Sequence, residues 1–322
     1  MIGNLVQKSL SISKKKFLYV KKGKGKLILL VHGWPETWHS WLNQISFLSK
    51  LGFKVVAFNV RGYPGSYSPR KISDYAMKYY INDIINIIDF FREKQAILIG
   101  HDWGAPICWN TAAYFRNRIS AVIGISVPHT RRGKISSTQL WKKEFKDIFF
   151  YQNYFQNKSI PEKELEKNPY ISLSKIYYWC SAEGHLDNVK SSKILNSGLL
   201  DGIPFKKKRL PWLNNSVLKV VAKSFERHGF RGTINRYRAQ DLDWAQLKEL
   251  EYLKIRQPSL FIAGEYDPVR YFLKGYDAYK NAGKFCTNLL GKHIIADAGH
   301  WVQQERPKEV NKAINAFLKR IC

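Results

Sequence analysis

The chain has few cysteines, and their spacing excludes the common cysteine-rich architectures. Its 322 residues include four cysteines, Cys108, Cys180, Cys286 and Cys322, none of them in the CxxC spacing of a zinc site. Small secreted domains use many cysteines as disulfides, whereas isolated cysteines are typical of a reducing compartment. The cysteine pattern therefore predicts a cytoplasmic protein without a disulfide framework.

Long apolar runs are also missing. No window approaches the ~18 uncharged apolar residues that a membrane-spanning helix needs. The first residues, MIGNLVQKSLSISKKKF, lack the apolar stretch of ~7 to 15 residues that a secretory signal requires. The hydrophobic share of 45% and the aromatic share of 14% nevertheless provide ample material for a core. We expect a soluble protein with one large domain, or a core with a sizeable insertion.

Acidic residues are scarce relative to basic ones. Asp and Glu total 25 against 53 Lys and Arg, which gives a formal net charge of +28. Such a charge attracts nucleic acid, anionic membranes or acidic ligands. The basic residues are spread along the chain, however, and the densest runs, 14–16 and 206–209, lie in no nucleic-acid-binding module. We expect no nucleic-acid partner; a polyanion-binding role stays open on net charge alone, and heparin retention across a salt series would test it.

The order of strand and helix patterns predicts an α/β protein. A helix is predicted from Asp74 to Phe91 with Ser73 as its N-cap, and Pro307 is expected to begin a closing helix. Between about residues 133 and 244 the chain is aromatic, Lys-rich and helical in pattern, which predicts a core of residues 1–132 and 245–322 and a helical cap of residues 133–244. Continuous apolar runs are typical of strands buried on both faces of a parallel sheet, and they cover residues 26–31, 54–60, 95–99, 121–127, 259–263 and 293–296.

The segment GHDWG at residues 100–104 follows one of these strands and precedes a helical stretch. Glycines on both sides of a central residue permit the tight strand-to-helix turn that lifts a nucleophile above the sheet edge. The helix N-terminus then places free N–H groups near that residue. We therefore predict Asp102 as a nucleophile at a position where Ser is usual; the alternative is that Asp102 only caps the helix.

Two further loops complete a hydrolytic site. HGWP at residues 32–35 follows the strand 26–31, where such a loop supplies one oxyanion-hole N–H while the residue after the nucleophile supplies the other. This predicts the backbone N–H groups of Trp34 and Trp103 as the oxyanion hole. In DAGHW at 297–301, His300 is the predicted general base. Asp267 in GEYDP is the predicted acid that orients it, with Glu265 as the alternative.

Five segments, read together, resemble the epoxide hydrolase branch of the α/β-hydrolase superfamily: HGWPETWHSW, RGYPGS, GHDWG, GEYD and GHWVQQERP. The similarity covers nearly the whole chain, from about residue 17 to the end. YQNYFQ at 151–156 and INRYR at 234–238 are similar to the segments that carry the family's two lid tyrosines. The resemblance implies an α/β-hydrolase fold, with a mostly parallel central sheet, helices on both faces and an inserted helical lid.

The resemblance also implies an activity. Asp102 is expected to open an epoxide to a vicinal diol through a covalent ester, which a water activated by His300 then hydrolyses. Tyr151 and Tyr237 are expected to donate to the epoxide oxygen, with Tyr154 as the alternative to Tyr151. No metal or organic cofactor is required, and the expected partners are a small hydrophobic epoxide and water, for a monomer or a homodimer.

Other functions remain open at this stage. A haloalkane dehalogenase shares the Asp-His-Asp triad but needs N–H donors for the departing halide, which the Trp103 indole and a lid tryptophan (Trp141, Trp179 or Trp212) can supply. A fluoroacetate dehalogenase is disfavoured because that branch tends to have Arg where Trp103 stands. A ligand receptor built on the same shell predicts a broken triad, whereas all its members are present here.

Overall fold

The central element of the computed structural model, which describes residues 5–190, 194–206 and 210–322, is an eight-stranded sheet. Its strand order is β1-β2-β4-β3-β5-β6-β7-β8; β2 runs antiparallel to both β1 and β4, and all other neighbours are parallel. The predicted mostly parallel α/β sheet is confirmed. The strands are β1 (Lys8–Ile12), β2 (Lys15–Lys22), β3 (Leu27–Val31), β4 (Lys54–Phe58), β5 (Ala96–His101), β6 (Ile119–Ile125), β7 (Ser259–Gly264) and β8 (Leu289–Ile295).

Most of the continuous apolar runs form strands because both faces of the sheet are covered. The prediction of a strand buried on both faces at 293–296 is wrong, because β8 is an edge strand in which no residue is buried. In β3, Leu27 and Leu29 belong to the core on one face, while Ile28 and Leu30 belong to the core on the other. Every residue of β3, β5 and β7 is buried. A strand with two covered faces has no polar side, which is why alternation is absent from these segments.

Helices flank the sheet and also fill a long segment between β6 and β7. The division into a core and a helical cap of residues 133–244 remains a prediction. Pro307 lies in the first turn of the last helix, as predicted. No helix in the described ranges is both long and apolar enough to cross a membrane. The helices are α1 (Leu42–Lys50), α2 (Met77–Phe90), α3 (Gly104–Tyr114), α4 (Ser137–Glu144), α5 (Tyr151–Tyr154), α6 (Ile160–Glu166), α7 (Pro169–Trp179), α8 (Ala182–Leu186), α9 (Asn215–His228), α10 (Arg231–Arg238), α11 (Gln240–Gln246), α12 (Val302–Glu305) and α13 (Pro307–Ile321).

The predicted start of the helix after β4 is wrong. A 3-10 turn covers Ile72–Tyr75, Ala76 is extended, and α2 begins at Met77 without the predicted Ser73 cap. The Met77 N–H is instead bound by Oδ1 of Asp243 from the helical insertion, at 2.6 Å. A carboxylate distant in sequence therefore replaces the local hydroxyl cap.

The hairpin of β1 and β2 was not predicted. These strands lie at the edge of the sheet, and β1 is largely exposed, with Leu10 as its one buried residue. Lysines on an edge strand suppress pairing with other chains, and they break the apolar run that marks a buried strand. The basic run at 14–16 lies on this hairpin, and of the run at 206–209 only Lys206 falls within the described residues.

Candidate active site

The parallel part of the sheet brings the predicted site residues to one edge. Trp34 follows β3, Asp102 follows β5, Asp267 follows β7 and His300 follows β8. Because the carboxyl ends of parallel strands meet at the same edge, loops far apart in the chain become neighbours there.

Asp102 lies in a strained turn between β5 and α3. Its φ is +49°, in the left-handed region that non-glycine residues seldom adopt. A Cβ on Gly104 would overlap the carbonyl oxygen of Val31, so α3 can approach β3 this closely only with glycine there. The Trp34 N–H donates to Asp102 Oδ1 at 2.7 Å, and Trp103 immediately precedes the first turn of α3. Both predicted oxyanion-hole residues thus flank the Asp102 carboxylate.

His300 lies between two carboxylates. Its Nε2 is 3.6 Å from Asp102 Oδ2, and its Nδ1 is 3.0 Å from Asp267 Oδ1. Glu265, the alternative acid, instead accepts from the Asp297 N–H at 3.3 Å. The geometry therefore supports Asp267 as the partner of His300.

The charges of the triad reinforce one another. Burial alone would lower the pKa of His300, but the carboxylates of Asp267 and Asp102 outweigh it and hold that pKa well above its ordinary value. Burial would raise the pKa of Asp267, but its interactions with His300 and its hydrogen bonds hold the pKa below the usual value. Both Asp267 and Asp102 therefore favour the protonated form of the His300 ring.

Ser126 is a member of this site that the sequence analysis missed. It follows β6 with a φ of +72°, donates its hydroxyl to Asp267 Oδ2 at 2.5 Å, and lies 2.9 Å from His300 Nδ1. It orients the acid whose other oxygen contacts the imidazole. A serine after a buried strand is too common for its sequence context to identify it.

A second buried pair, also missed, supports the loop that carries His300. Glu36 Oε2 lies 2.7 Å from His101 Nδ1, and both side chains are fully buried. The other ring nitrogen, His101 Nε2, lies 2.8 Å from the His300 carbonyl oxygen. Because a carbonyl oxygen only accepts, the His101 ring donates there, and Glu36 stabilises the donor.

Two tyrosines of the insertion face Asp102, and a third does not. Burial, and secondly the charge of Asp102, raise the pKa of Tyr151. Burial, followed by interactions with Tyr151 and Asp102, raises the pKa of Tyr237 well above its ordinary value. Tyr154 instead donates its hydroxyl to Glu164 Oε2 at 2.8 Å. Both predicted donors thus keep their protons at neutral pH, and the geometry favours Tyr151 over Tyr154.

A chain of two glutamines sets the direction of the Tyr151 hydroxyl. Gln240 Nε2 lies 3.0 Å from the Tyr237 carbonyl oxygen, so this end of the amide must be the donor. The same nitrogen donates to Gln152 Oε1 at 3.0 Å, which leaves Gln152 Nε2 to donate to the Tyr151 hydroxyl at 3.0 Å. That hydroxyl oxygen is therefore an acceptor toward Gln152, and the glutamine chain leaves its proton unused.

These groups open onto a cavity of about 380 Å³ between the sheet edge and the insertion. Asp102, Trp103, Tyr151 and Tyr237 all line it. Most other lining side chains are apolar or aromatic, which fits a hydrophobic small molecule. Among the described residues, no group of three or more His, Cys, Asp or Glu side chains is arranged to hold a metal ion.

Comparison with known proteins assigns the chain to a family. Residues 26–307 match the family described as the alpha/beta hydrolase fold. The chain is 34% identical to Epoxide hydrolase A of Mycobacterium tuberculosis, over 91% of this chain and 90% of that protein, and 32% identical to Epoxide hydrolase B of the same organism, over 91% of each. The crystal structure of Epoxide Hydrolase A from Mycobacterium thermoresistibile matches with a TM-score of 0.91 at 32% identity, over 98% of each chain. The chain therefore belongs to the epoxide hydrolase family of the α/β-hydrolase fold.

Proposed function

We propose that this enzyme opens epoxides to vicinal diols through an ester on Asp102. The observation that carries the proposal is the position of the Asp102 carboxylate, which has the Trp34 N–H on Oδ1 at 2.7 Å and His300 on the Oδ2 side at 3.6 Å. An epoxide has no carbonyl, so the attack is a displacement at sp³ carbon. A carboxylate can make that attack without first losing a proton.

In the first step, Oδ2 of Asp102 forms a bond to an epoxide carbon and the ring C–O bond breaks. The departing oxygen takes the bonding electrons and a proton from the hydroxyl of Tyr151 or Tyr237, which is left as a phenolate. The phenolate then recovers a proton from protonated His300 through water, which leaves His300 neutral. The glutamine chain supports this role for Tyr151 because it leaves that hydroxyl proton unused. The product of the step is a hydroxyalkyl ester of Asp102.

In the second step, neutral His300 removes a proton from water, whose oxygen attacks the ester carbonyl carbon. The Trp34 and Trp103 N–H groups stabilise the resulting oxyanion. Collapse releases an alkoxide, which takes a proton from His300 to give the diol. The new carboxyl group of Asp102 passes its proton to His300, so Asp102 returns as a carboxylate with one oxygen from water. Ester formation removes one of the two carboxylate charges that hold the proton on His300, so the first step makes available the base that the second step needs.

The inserted helices supply both tyrosines in this scheme, and we propose that residues 133–244 form a cap domain on a core of residues 1–132 and 245–322. Part of the contact between the two is aromatic. The Trp34 ring lies 5.1 Å from Phe155 and 5.9 Å from Tyr237, measured between ring centroids.

A single turnover with an aryl epoxide in water enriched in heavy oxygen tests the ester. The first diol should carry no label, and the peptide that contains Asp102 should gain one heavy oxygen. Label in the first diol would mean direct attack by water and would overturn the covalent step. Halide release from a haloalkane, with no diol from any epoxide, would favour the dehalogenase and remove the role of Tyr151 and Tyr237.

A further inference from the structure

A buried guanidinium lies beside one of the two cavity tyrosines. Arg236 directly precedes Tyr237 on α10, and its side chain is only 2% exposed. Burial lowers the pKa of Arg236 to about 10, so the group stays positively charged at neutral pH. Because taking a charge out of water is costly, a cation retained in such a position needs compensating contacts.

The hydrogen bonds of Arg236 connect the insertion to the core. Its two terminal nitrogens donate to the Asp243 carboxylate and to the Tyr75 carbonyl oxygen. The same carboxylate accepts from the Met77 N–H at 2.6 Å. The third nitrogen of Arg236, Nε, is buried and has no acceptor in the described part of the chain. The carboxylate therefore compensates the positive charge at one end of the guanidinium only.

The face of this guanidinium lies against Trp103. Its central carbon is 4.7 Å from the centroid of the Trp103 ring, which is a cation–π distance. The Trp103 ring also meets the Tyr237 ring nearly at a right angle, with the centroids 5.3 Å apart and the planes at 80°. Arg236 and Tyr237 thus pack on one indole, which joins the cation to the ring that carries the hydroxyl.

The surroundings of Tyr237 mostly disfavour negative charge on its oxygen. Burial raises the pKa of Tyr237, and Tyr151, Asp102 and Tyr63 raise it further, whereas the contact with Trp103 lowers it. When the Tyr237 hydroxyl donates to the departing epoxide oxygen, its own oxygen gains negative charge. A cation that is already in place stabilises this charge without rearrangement of the protein, and its effect is larger where water is excluded.

We propose that Arg236 is a positioning residue for epoxide opening, which acts through Trp103 and stabilises the negative charge that develops on the Tyr237 oxygen. This inference rests on the proposed function and adds to it a residue behind the wall that Trp103 and Tyr237 form. It also gives the two tyrosines different support, since two glutamines orient the Tyr151 hydroxyl and a cation serves Tyr237.

Rapid-quench measurements of ester formation in paired variants test this role. Arg236→Gln should lower the rate constant of ester formation roughly 3- to 10-fold, because the transition state carries only part of the charge. The loss should vanish in Tyr237→Phe, which has no hydroxyl to stabilise, and should persist in Tyr151→Phe. A loss of equal size in both Phe backgrounds would indicate a general effect on packing and would overturn the role of Arg236.

Arg238→Gln is the matched control on the same helix, because the Arg238 guanidinium pairs with Glu162 of α6. Any loss that it causes should be equal in the wild-type and Tyr237→Phe backgrounds. If Arg236→Gln does not fold with Asp243 left unpaired, the double variant Arg236→Gln/Asp243→Asn replaces it in the cycle. That variant exchanges the ion pair for two amides, and the oxygen of the new amide at position 243 can still accept from the Met77 N–H.

A pKa measurement separates this inference from the proposed function. A fluorinated tyrosine in place of Tyr237 ionises at a lower pH, and fluorine NMR reports its titration. Its acid dissociation constant should be roughly tenfold smaller in Arg236→Gln than in the protein that keeps Arg236. That decrease, with no ester formed from any epoxide, would overturn the proposed function alone. An unchanged dissociation constant would overturn the role of Arg236 and leave ester formation on Asp102 in place.

Discussion

The tyrosines near the site differ in which group can receive the proton of the hydroxyl. Tyr151 accepts from Gln152 and keeps its proton for the cavity, whereas Tyr154 donates its proton to Glu164. Tyr151→Phe should therefore lower kcat for epoxide opening by roughly 10²-fold, the low end for one proton donor. Tyr154→Phe should change kcat by less than about twofold. Steady-state rates and circular dichroism of both variants check this, and equal losses in the two would contradict the assignment.

The protonation of His300 predicts different pH profiles for the two steps. The carboxylates of Asp267 and Asp102 raise its pKa in the resting enzyme, and the ester removes the contribution of Asp102. The rate of ester hydrolysis should therefore rise with pH as His300 loses its proton, and then reach a plateau. Ester formation should stay level to a much higher pH, because burial raises the pKa of both Tyr151 and Tyr237.

Rapid-quench measurements at several pH values separate these steps, with the ester detected by intact mass. His300→Asn provides the matched variant, in which the ester should accumulate at all pH values because the base is absent. Ester hydrolysis that slows as pH rises would be inconsistent with His300 as the base.

Among the structural elements, α12 holds the loop that carries His300. Glu305 Oε2 accepts from the Gly299 and Ala182 N–H groups, and Oε1 accepts from the Trp301 N–H, each at 2.9 Å. One carboxylate thus joins the His300 loop to α8 of the insertion. Glutamine cannot replace Glu305 in these contacts, because the NH2 group of its amide is a donor and would face a backbone N–H, which is also a donor.

Glu305→Gln should consequently lower the free energy of unfolding by about 1–3 kcal/mol, the cost of an unsatisfied buried donor. It should also lower kcat, because the position of His300 relaxes. Urea unfolding and kinetics measure the two effects. Glu309→Gln on the exposed face of α13 is the control for the lost charge, and similar losses in both variants would argue against the backbone contacts as the cause.

At the scale of the whole molecule, we expect activity to depend on how closely the insertion approaches the core. Gly232 of α10 lies so near the loop after β4 that an added Cβ would be 2.5 Å from the Gly62 carbonyl oxygen. The backbone cannot yield as a flexible side chain does, so Gly232→Ala should displace α10 together with Tyr237.

We expect Gly232→Ala to destabilise the protein by about 1–3 kcal/mol, as overpacking does, and to lower kcat by at least about tenfold. Gly133→Ala is the comparison, because an added Cβ there comes no closer than 3.3 Å to any neighbour. Thermal unfolding and epoxide turnover check the pair. A Gly232→Ala protein with wild-type kcat would show that the position of α10 does not control the reaction.

The +28 charge is also a property of the whole chain, and only part of it has a structural context. The lysines of the β1–β2 hairpin protect an edge of the sheet, and Arg131 faces the cavity. The cytoplasmic location stays a prediction from the cysteine pattern.

Local sequence patterns predicted much of the fold and the order of the three triad residues along the chain. Continuous apolar segments predicted the buried strands because a strand covered on both faces excludes polar residues. GHDWG predicted the turn at Asp102 because few residues tolerate that backbone and that helix approach. The hairpin strands β1 and β2 were not predicted, since half-exposed lysine-rich segments have no apolar run to mark them.

The sequence by itself therefore determined the α/β core and the family, and it predicted the site residues Asp102, Asp267 and His300 from short motifs that each follow a strand. The tertiary structure alone decided how they are supported. Ser126, Glu36 and Glu305 act through contacts with residues far away in the chain, and Met77 is capped from the insertion. The physical reason is that a hydrogen bond depends on distance and direction in space, which local sequence patterns do not encode.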